Sequence, residues 1–394
     1  MATRLRYNIM HVIVEPRYSG AEVLVRELVQ IHGRQGHRVS IVAFRPPQAD
    51  FAHEIAQLEQ QGCECFLPGR SLVRLGRIKW LLAAIKAAGP DIVFAHSILP
   101  SLYTRMALRF ARRPPIVTVL HTDDDLGNTG LLRMERFLWR RSACVVGVSA
   151  KSIGNYRRRM TDRVPTRVIQ NGIPVEQFAV PRGVAQDHRS RLYRPQGGEL
   201  VAVQIGRICV QKQQHVSVEA LALLSARGIR NLRLVLVGPT QDPDYEARVI
   251  ASARAGGVED RVQFAGPQAN VKEWLAGADI FLMPSGWEAH CIAALEGMAS
   301  GLFCIFTAID AFEEWRSHSG VFMIEAPPVP EQLAKALETV AKSKVWDRRY
   351  ERDLVKFSIQ RCAAEYMQVT EQFAHPALGL EDASVGKSGE TERG

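Results

Sequence analysis

Ala278-Asp279-Ile280-Phe281-Leu282-Met283-Pro284-Ser285-Gly286-Trp287-Glu288-Ala289-His290-Cys291-Ile292-Ala293-Ala294-Leu295-Glu296-Gly297-Met298-Ala299-Ser300-Gly301 is the stretch from which the fold can be read. Ile280–Met283 is apolar at every position, as a strand covered on both faces must be. Pro284, Ser285 and Gly286 are turn formers. Cys291–Ser300 then carries a helical pattern that stops at Gly301. Strand, loop and helix in unbroken order form the unit of a parallel α/β sheet. Glu288 stands in the loop, and Glu296 follows it about a turn and a half into the helix. The N–H groups near His290, Cys291 and Ile292 lie at the positive end of that helix, which favours phosphate through free donors and its dipole. Two solvated glutamates would show the same spacing, so the pair gains meaning only from this context.

The alternation continues in both directions. Strand patterns lie at Leu200–Ile205, Leu232–Val237, Val262–Phe264 and Phe303–Phe306. Helical patterns separate them at His215–Arg227, Tyr245–Ala255, Val271–Ala276 and Pro330–Ala341. The first half repeats the scheme, with strands at Ile9–Val14, Val39–Ala43, Ile92–Ala95, Ile116–Leu120, Cys144–Val148 and Arg167–Ile169. Amphipathic stretches such as Glu22–Gln35 and Ile78–Ala88 stand between them, stopped by Gly36 and by Gly89-Pro90. The pattern predicts an α/β chain of two doubly wound, Rossmann-like domains that face each other across an interdomain cleft. A single core stops growing at roughly 250–300 residues, which also points to two domains. The expected division is an N-terminal domain at 1–180, a linker at 181–198 and a C-terminal domain at 199–355. A helix at 356–374 packs back on the N-terminal domain, and a disordered polar tail fills 375–394.

Composition narrows the class. Hydrophobic residues make up 46% and charged residues 23% of 394, the balance of an ordinary globular chain. No apolar run approaches the roughly 18 residues that span a bilayer. Ile9–Val14 is short, contains His11 and ends at Glu15, so it reads as a first buried strand rather than a signal peptide. Seven cysteines without a CxxC suit a reducing, cytoplasmic setting and argue against a disulfide framework or a structural zinc site.

The net charge of +9 is unevenly placed. Residues 1–200 hold 30 Lys and Arg against 16 Asp and Glu, whereas residues 201–394 hold 20 against 25. Arginines cluster at Arg105–Arg113, Arg133–Arg141 and Arg157–Arg159. This is either a solvated basic surface or a face for a polyanion. An anionic membrane fits it best, at about 1 kcal/mol per basic residue, and would hold the protein peripherally on the inner face of the plasma membrane. Nucleic acid is not expected, because zinc-finger spacing, an RNP-type aromatic motif and basic-zipper heptads are all missing. The chain also lacks the G-x-G-x-x-G of nicotinamide and flavin enzymes and the G-x-S-x-G elbow.

Further segments make the pattern specific. Ile205-Gly206-Arg207 with Lys212 follows a strand. Leu234-Val235-Leu236-Val237-Gly238 and Asp260-Arg261-Val262-Gln263-Phe264-Ala265-Gly266 come next, before the opening stretch. Val168-Ile169-Gln170-Asn171-Gly172-Ile173, Ser19-Gly20-Ala21-Glu22 and Gly36-His37-Arg38-Val39 complete the set. In order and spacing, from about Ile9 to Phe373, the chain resembles the retaining glycosyltransferases of family four, also called group 1, with the two-domain GT-B fold. It departs from them at Ser19, at Ala289 after the first glutamate, at His290-Cys291, at Gly297, and at Leu302-Phe303-Cys304.

The resemblance implies roles. Arg207 and Lys212 would neutralise the diphosphate of a UDP- or GDP-linked sugar as it leaves, an electrostatic contribution that is often the largest in catalysis. Glu296 would hold the ribose hydroxyls, and the base would lie near Gly238 and Phe264. Glu288 would bind the sugar hydroxyls, with the backbone of His290, Cys291 and Ile292 beside it. Gly20 would let the N-terminal loop approach the phosphates. His121, at the end of Ile116–Leu120, would stand by the sugar and acceptor. No metal or other cofactor is implied. Asp123-Asp124-Asp125 matches the metal-holding D-x-D of the other main glycosyltransferase fold, but Arg207 and Lys212 already supply cations. Gly386-Lys387-Ser388 mimics the end of a phosphate loop, yet Glu381 stands where its first glycine belongs.

The implied reaction is hexosyl transfer to a saccharide or lipid-linked acceptor in envelope, exopolysaccharide or lipopolysaccharide synthesis. Two alternatives stay open at this level: a nucleotide-sugar epimerase of the same fold, and a non-catalytic nucleotide-sugar-binding subunit.

Overall fold

The structure, a computed structural model, describes residues 5–111, 113–123, 129–195, 198–347 and 349–374. Asp124, Asp125, the segment 375–394 and the Gly386-Lys387-Ser388 motif lie outside the described residues. The chain divides into two compact units. The first takes the chain up to Arg17, then Ala21–Gln170 and the chain from Gln360; the second takes Tyr18–Gly20 and Asn171–Ile359.

The first unit is built on seven parallel strands: β1 (Asn8–Ile13), β2 (Arg38–Ala43), β3 (Glu64–Phe66), β4 (Ile92–His96), β5 (Ile116–Leu120), β6 (Cys144–Gly147) and β7 (Thr166–Val168). Their order is β3-β2-β1-β4-β5-β6-β7. The central strands β4, β5 and β6 are buried throughout, which is why they read as unbroken apolar runs. Helix Arg74–Ala88 ends where Gly89 turns left-handed at φ 59°, its N–H bonding Ile85 O. The last helix, Ile359–Ala374, completes this unit. Tyr366 packs on Phe94 of β4, the Ala363 carbonyl lies 3.1 Å from His32 Nε2, and Arg113 Nη1 donates to Ala374 O at 2.7 Å.

The second unit has six parallel strands: β8 (Leu200–Ile205), β9 (Leu232–Val237), β10 (Val262–Gly266), β11 (Ile280–Met283), β12 (Phe303–Thr307) and β13 (Val321–Ile324). Their order, β10-β9-β8-β11-β12-β13, repeats that of the first unit. Each sheet therefore reverses its strand order once, between β1 and β4 and between β8 and β11. The α/β reading with two doubly wound domains is borne out.

Two strands escaped the pattern, and both are sheet edges. β3 spans only three residues and stays partly exposed, so no apolar run marks it. β13 leaves Phe322 45% exposed.

Within 181–198, where the linker was expected, stands helix Arg182–Leu192. It belongs to the second unit by specific bonds. Arg189 Nη1 donates to Asp279 Oδ2 at 2.8 Å and to Gly277 O at 3.0 Å, and Tyr193 packs edge-on against Trp274. Asp279 also accepts the Val201 N–H at 2.8 Å, so the carboxylate before β11 is a structural tie.

Candidate active site

In an open parallel sheet, ligands collect at the carboxyl ends of the strands where their order reverses. In the second unit that place lies beyond β8 and β11, and the loops leaving these two strands carry the candidate charges. Lys212 sits in a 3-10 turn, Val210–Lys212, between β8 and helix Gln214–Ala226. Its ammonium lies 2.6 Å from Glu288 Oε1, with both side chains about nine-tenths buried. Met283 Sδ at 3.9 Å and Cys291 Sγ at 3.7 Å complete the surroundings of Nζ.

Burial opposes the Lys212 charge, but Cys291 and the hydrogen-bonded Glu288 carboxylate together outweigh it and the pKa ends above that of a free lysine. Cys291 is shifted in turn. Burial, with Glu288 and Glu296 adding to it against Lys212, pushes its thiol up to about 12. Glu296 stands in the second turn of helix Ile292–Ala299, which follows Cys291 directly.

Two glycines allow this approach. At Gly206, φ is 154°, and a Cβ would come within 3.0 Å of Lys212 Cε. At Gly238, φ is 147°, and a Cβ would collide with the Gly206 carbonyl. The Gly238 N–H is bonded to Gly266 O at 2.8 Å, next to the irregularity in β10 between Phe264 and Gly266. The Gly238 donor at these strand ends is therefore already taken.

Arg207 donates to Gln241 and, at 3.4 Å, to Gln211. Gln211 is a residue that the sequence reading missed. Its carbonyl accepts the Gly286 N–H at 2.9 Å, and its amide donates to Trp287 O at 2.9 Å and to Glu288 Oε2 at 3.4 Å. One side chain and one carbonyl thereby lash the β8 loop to the β11 loop. A neutral glutamine without a motif gives no signal in a single sequence. Trp287, 55% exposed beside Glu288, was likewise unassigned.

His290 offers only its backbone on the Glu288 side of the loop. Its ring is buried among Trp315 and Phe357, with centroids 6.0 and 5.7 Å away, and neither ring nitrogen has a hydrogen-bond partner. Burial, aided by Lys356, lowers its pKa to about 3. Its carbonyl accepts from Asn171 Nδ2 at 2.9 Å. Ile292 lies against Gly20, where a Cβ would sit 3.5 Å from its Cδ1, an ordinary contact. The protein itself therefore does not forbid a side chain at Gly20.

His121 follows β5 in the first unit, and its Nε2 lies 2.9 Å from His96 Nδ1. Asp123, the described member of the triple aspartate, accepts from Ser149 Oγ at 2.8 Å and lies 3.8 Å from Lys151 Nζ. The arginine clusters need correction. Arg105 is fully buried and bidentate to Glu135, and Arg141 donates to the carbonyls of Leu108 and Ala111. These two hold helices together and add nothing to a polyanion face. Among the described residues, no helix is long and apolar enough to cross a membrane.

Residues 18–177 match the family described as Glycosyltransferase Family 4, and residues 187–358 match Glycosyl transferases group 1. The chain belongs to this glycosyltransferase family. The transferase is 26% identical over 374 residues to EpsF of Bacillus subtilis (strain 168), which carries the name of a glycosyltransferase; the match covers 92% of this chain and 94% of EpsF. It is 27% identical over 332 residues to the GDP-mannose:cellobiosyl-diphosphopolyprenol alpha-mannosyltransferase of Xanthomonas campestris, covering 79% and 82% of the two chains. Its fold is that of HepE from Anabaena, solved in complex with UDP-glucose, at a TM-score of 0.76 and 20% identity over 94% of this chain and 98% of HepE. Transfer of a glycosyl group, rather than epimerisation or binding without turnover, is the activity of this chain.

Proposed function

We propose that the transferase moves a hexosyl unit, with retention at the anomeric carbon, from a UDP- or GDP-linked sugar to a saccharide or lipid-linked acceptor of a cell-envelope polysaccharide. The observation that carries this reading is the buried Lys212–Glu288 pair, 2.6 Å apart at the strand-order reversal of the second sheet. A cation kept charged by its carboxylate partner is poised for the phosphate oxygens, and the same carboxylate is poised for sugar hydroxyls. Arg207 adds a second cation, and Glu296 is assigned to the ribose. Trp287 offers an exposed indole face next to the sugar-binding carboxylate.

In the proposed step the C1–O bond to the β-phosphate breaks while the acceptor oxygen bonds to C1 on the same face. The acceptor proton passes to the departing phosphate oxygen. Lys212 and Arg207 stabilise the charge that grows there, a contribution worth on the order of 10²–10³ in rate for one well-placed donor. The donors named for HepE and for the Xanthomonas mannosyltransferase support a UDP- or GDP-linked sugar. The latter's name also supports a polyprenol-linked acceptor.

A membrane face suits such an acceptor. On the first unit Phe110 and Phe137 are 88% and 77% exposed, Arg109 stacks over Phe110, and helix Thr129–Leu138 turns Arg133, Met134 and Arg136 outward as well. Exposed aromatics with arginines beside them match a negatively charged leaflet. The chain should float with vesicles containing anionic lipid and stay behind with neutral ones. Equal behaviour with both would remove the membrane from the reading.

The test of transfer is release of nucleoside diphosphate from a panel of nucleotide sugars, stimulated by a polyprenol-linked saccharide, with the product's anomeric configuration read by NMR. Lys212→Ala and Glu296→Ala are expected to lower release at least 100-fold. Wild-type rates in either variant would overturn the site, and an inverted product would overturn retention.

A further inference from the structure

The loop that carries both candidate cations is fastened by two buried glutamines. Gln204 stands in β8, where every other residue is apolar, and is 1% exposed. Its Nε2 donates to the Lys212 carbonyl at 2.7 Å, and its Oε1 accepts from Ser217 Oγ at 2.7 Å. Gln214, also 1% exposed, opens helix Gln214–Ala226. Its Nε2 donates to the Arg207 carbonyl at 2.8 Å, and its Oε1 accepts the Cys209 N–H at 3.4 Å. The main-chain carbonyl of each cationic residue is thus held by the amide of a buried glutamine.

An amide buried in an apolar strand costs free energy unless its polar atoms are bonded. Gln204 meets that condition by reaching out of β8, to the loop that follows it and to the helix beyond. A polar network bonded in this way fixes one arrangement of the groups it joins. The loop has need of such restraint. Gln213, directly after Lys212, is left-handed at φ 55° and ψ 39°. That conformation is unfavourable for a residue with a Cβ and persists only where the surroundings impose it. Lysine also carries its charge at the end of a flexible four-carbon stem, so an ammonium with a fixed place requires a fixed backbone.

We propose that Gln204 and Gln214 are positioning residues for the transfer step, anchoring the backbone of Lys212 and Arg207 so that both cations meet the departing diphosphate at one place. The inference rests on the reading of these two cations as partners of the diphosphate. The glutamines serve it in a second way. A carbonyl oxygen is the negative end of a dipole and opposes an anion. Bonded to amides in the interior, the carbonyls of Arg207 and Lys212 are engaged there while their side chains remain for the phosphates. Dipoles set before the reaction need no reorganisation as charge develops.

The test compares Gln204→Met and Gln214→Met with the wild type, since methionine keeps the length of glutamine and loses its donor. In the full chain without ligand, hydrogen–deuterium exchange should quicken over 206–213 and stay unchanged over β9 and β11. In nucleoside diphosphate release from a nucleotide sugar, kcat and kcat/KM should fall together by on the order of 10–100-fold, as for an interaction made in the transition state. In the Lys212→Ala background Gln204→Met should cost nothing further, because the residue through which Gln204 acts is gone. A glutamine that only stabilised the fold would cost the same in both backgrounds. Should Gln204→Met not fold, adding Ser217→Ala removes the hydroxyl left without its acceptor; should Gln214→Met not fold, Gln214→Asn is one methylene short of the Arg207 carbonyl. These variants are read in the same way. Unchanged exchange over 206–213, an unchanged kcat in either variant, or a loss that recurs in full without Lys212 would overturn the anchoring role. Failure of the transfer reading looks different: Lys212→Ala would itself release nucleoside diphosphate at the wild-type rate.

Discussion

At the scale of single residues, the site depends on what is missing as much as on what is present. Gly238 carries no functional group, yet its φ of 147° and the adjacent Gly206 carbonyl leave no room for a methyl group. Gly238→Ala should therefore destabilise the second unit by about 2–4 kcal/mol, as strained backbone and overpacking act together; a urea midpoint equal to that of the wild type would refute this. Gly297 is a departure with a visible cause. A Cβ there would lie 2.6 Å from the Phe281 ring, so Phe281 of β11 occupies the space of the alanine methyl usual at this position. His290 and Cys291, two further departures, turn their side chains respectively into an aromatic cluster and toward Lys212. The charged set was legible because its residue types are chemically distinctive. Gln211 and Trp287 were not, since amides and indoles serve equally as surface or as site.

Elements show the opposite balance. The central strands announced themselves, because a strand buried on both faces can hold only apolar residues. Edge strands β3 and β13 did not, because one side of each meets solvent. Helix Arg182–Leu192 was hidden by a composition that looks like a linker. It is held in place by Arg189, whose bonds to Asp279 and Gly277 come from residues some 90 positions away. The buried cluster in the first unit teaches the same lesson. Arg105 on helix Ile98–Ala107 meets Glu135 on helix Thr129–Leu138 at 2.8 Å, and Tyr156 on helix Ala150–Arg159 donates to the same carboxylate at 2.9 Å. In sequence these are one more arginine in a basic run and a lone glutamate. Glu135→Ala leaves a guanidinium buried without its counter-ion and should destabilise the first unit by about 3–5 kcal/mol. Pairing it with Arg105→Met should recover most of that loss in chemical denaturation. Failure of the double variant to recover would mean that the pair is not the source of the effect.

For the whole molecule, the distribution of buried histidines sets the response to acid. His11, His32, His96 and His121 in the first unit, and His290 in the second, all have folded pKa values depressed below 6.5, chiefly by burial. Above 6.5 neither state binds a proton at these rings, and the full stability is present. As pH falls below 6.5 the unfolded chain takes up protons that the folded chain refuses. Stability is then lost, for His11, His32, His121 and His290 down to folded values near 3 and 4 and for His96 likewise as pH falls, at about 1.4 kcal/mol per pH unit for each ring. His215 and His318 of the second unit are lowered as well, to a lesser extent; with four of the five strongly lowered rings in the first unit, that unit should open first on acidification. Limited proteolysis at pH 5 should cut within 21–170 before it cuts within 171–359, and the reverse order would contradict the assignment.

The sequence by itself determined the alternation of strands and helices, the two doubly wound sheets, the family and the identity of the charged residues. Each of these is encoded locally, in apolar runs, turn formers and short spacings. Only the tertiary structure decided which charges are partners. Strand order brought the loops after β8 and β11 together, so that Lys212 meets Glu288 across 76 residues. It also turned Arg105 from surface charge into core and aligned three histidines from three strands on one face. Contacts of that range depend on register and sheet order, which no stretch of a single chain records.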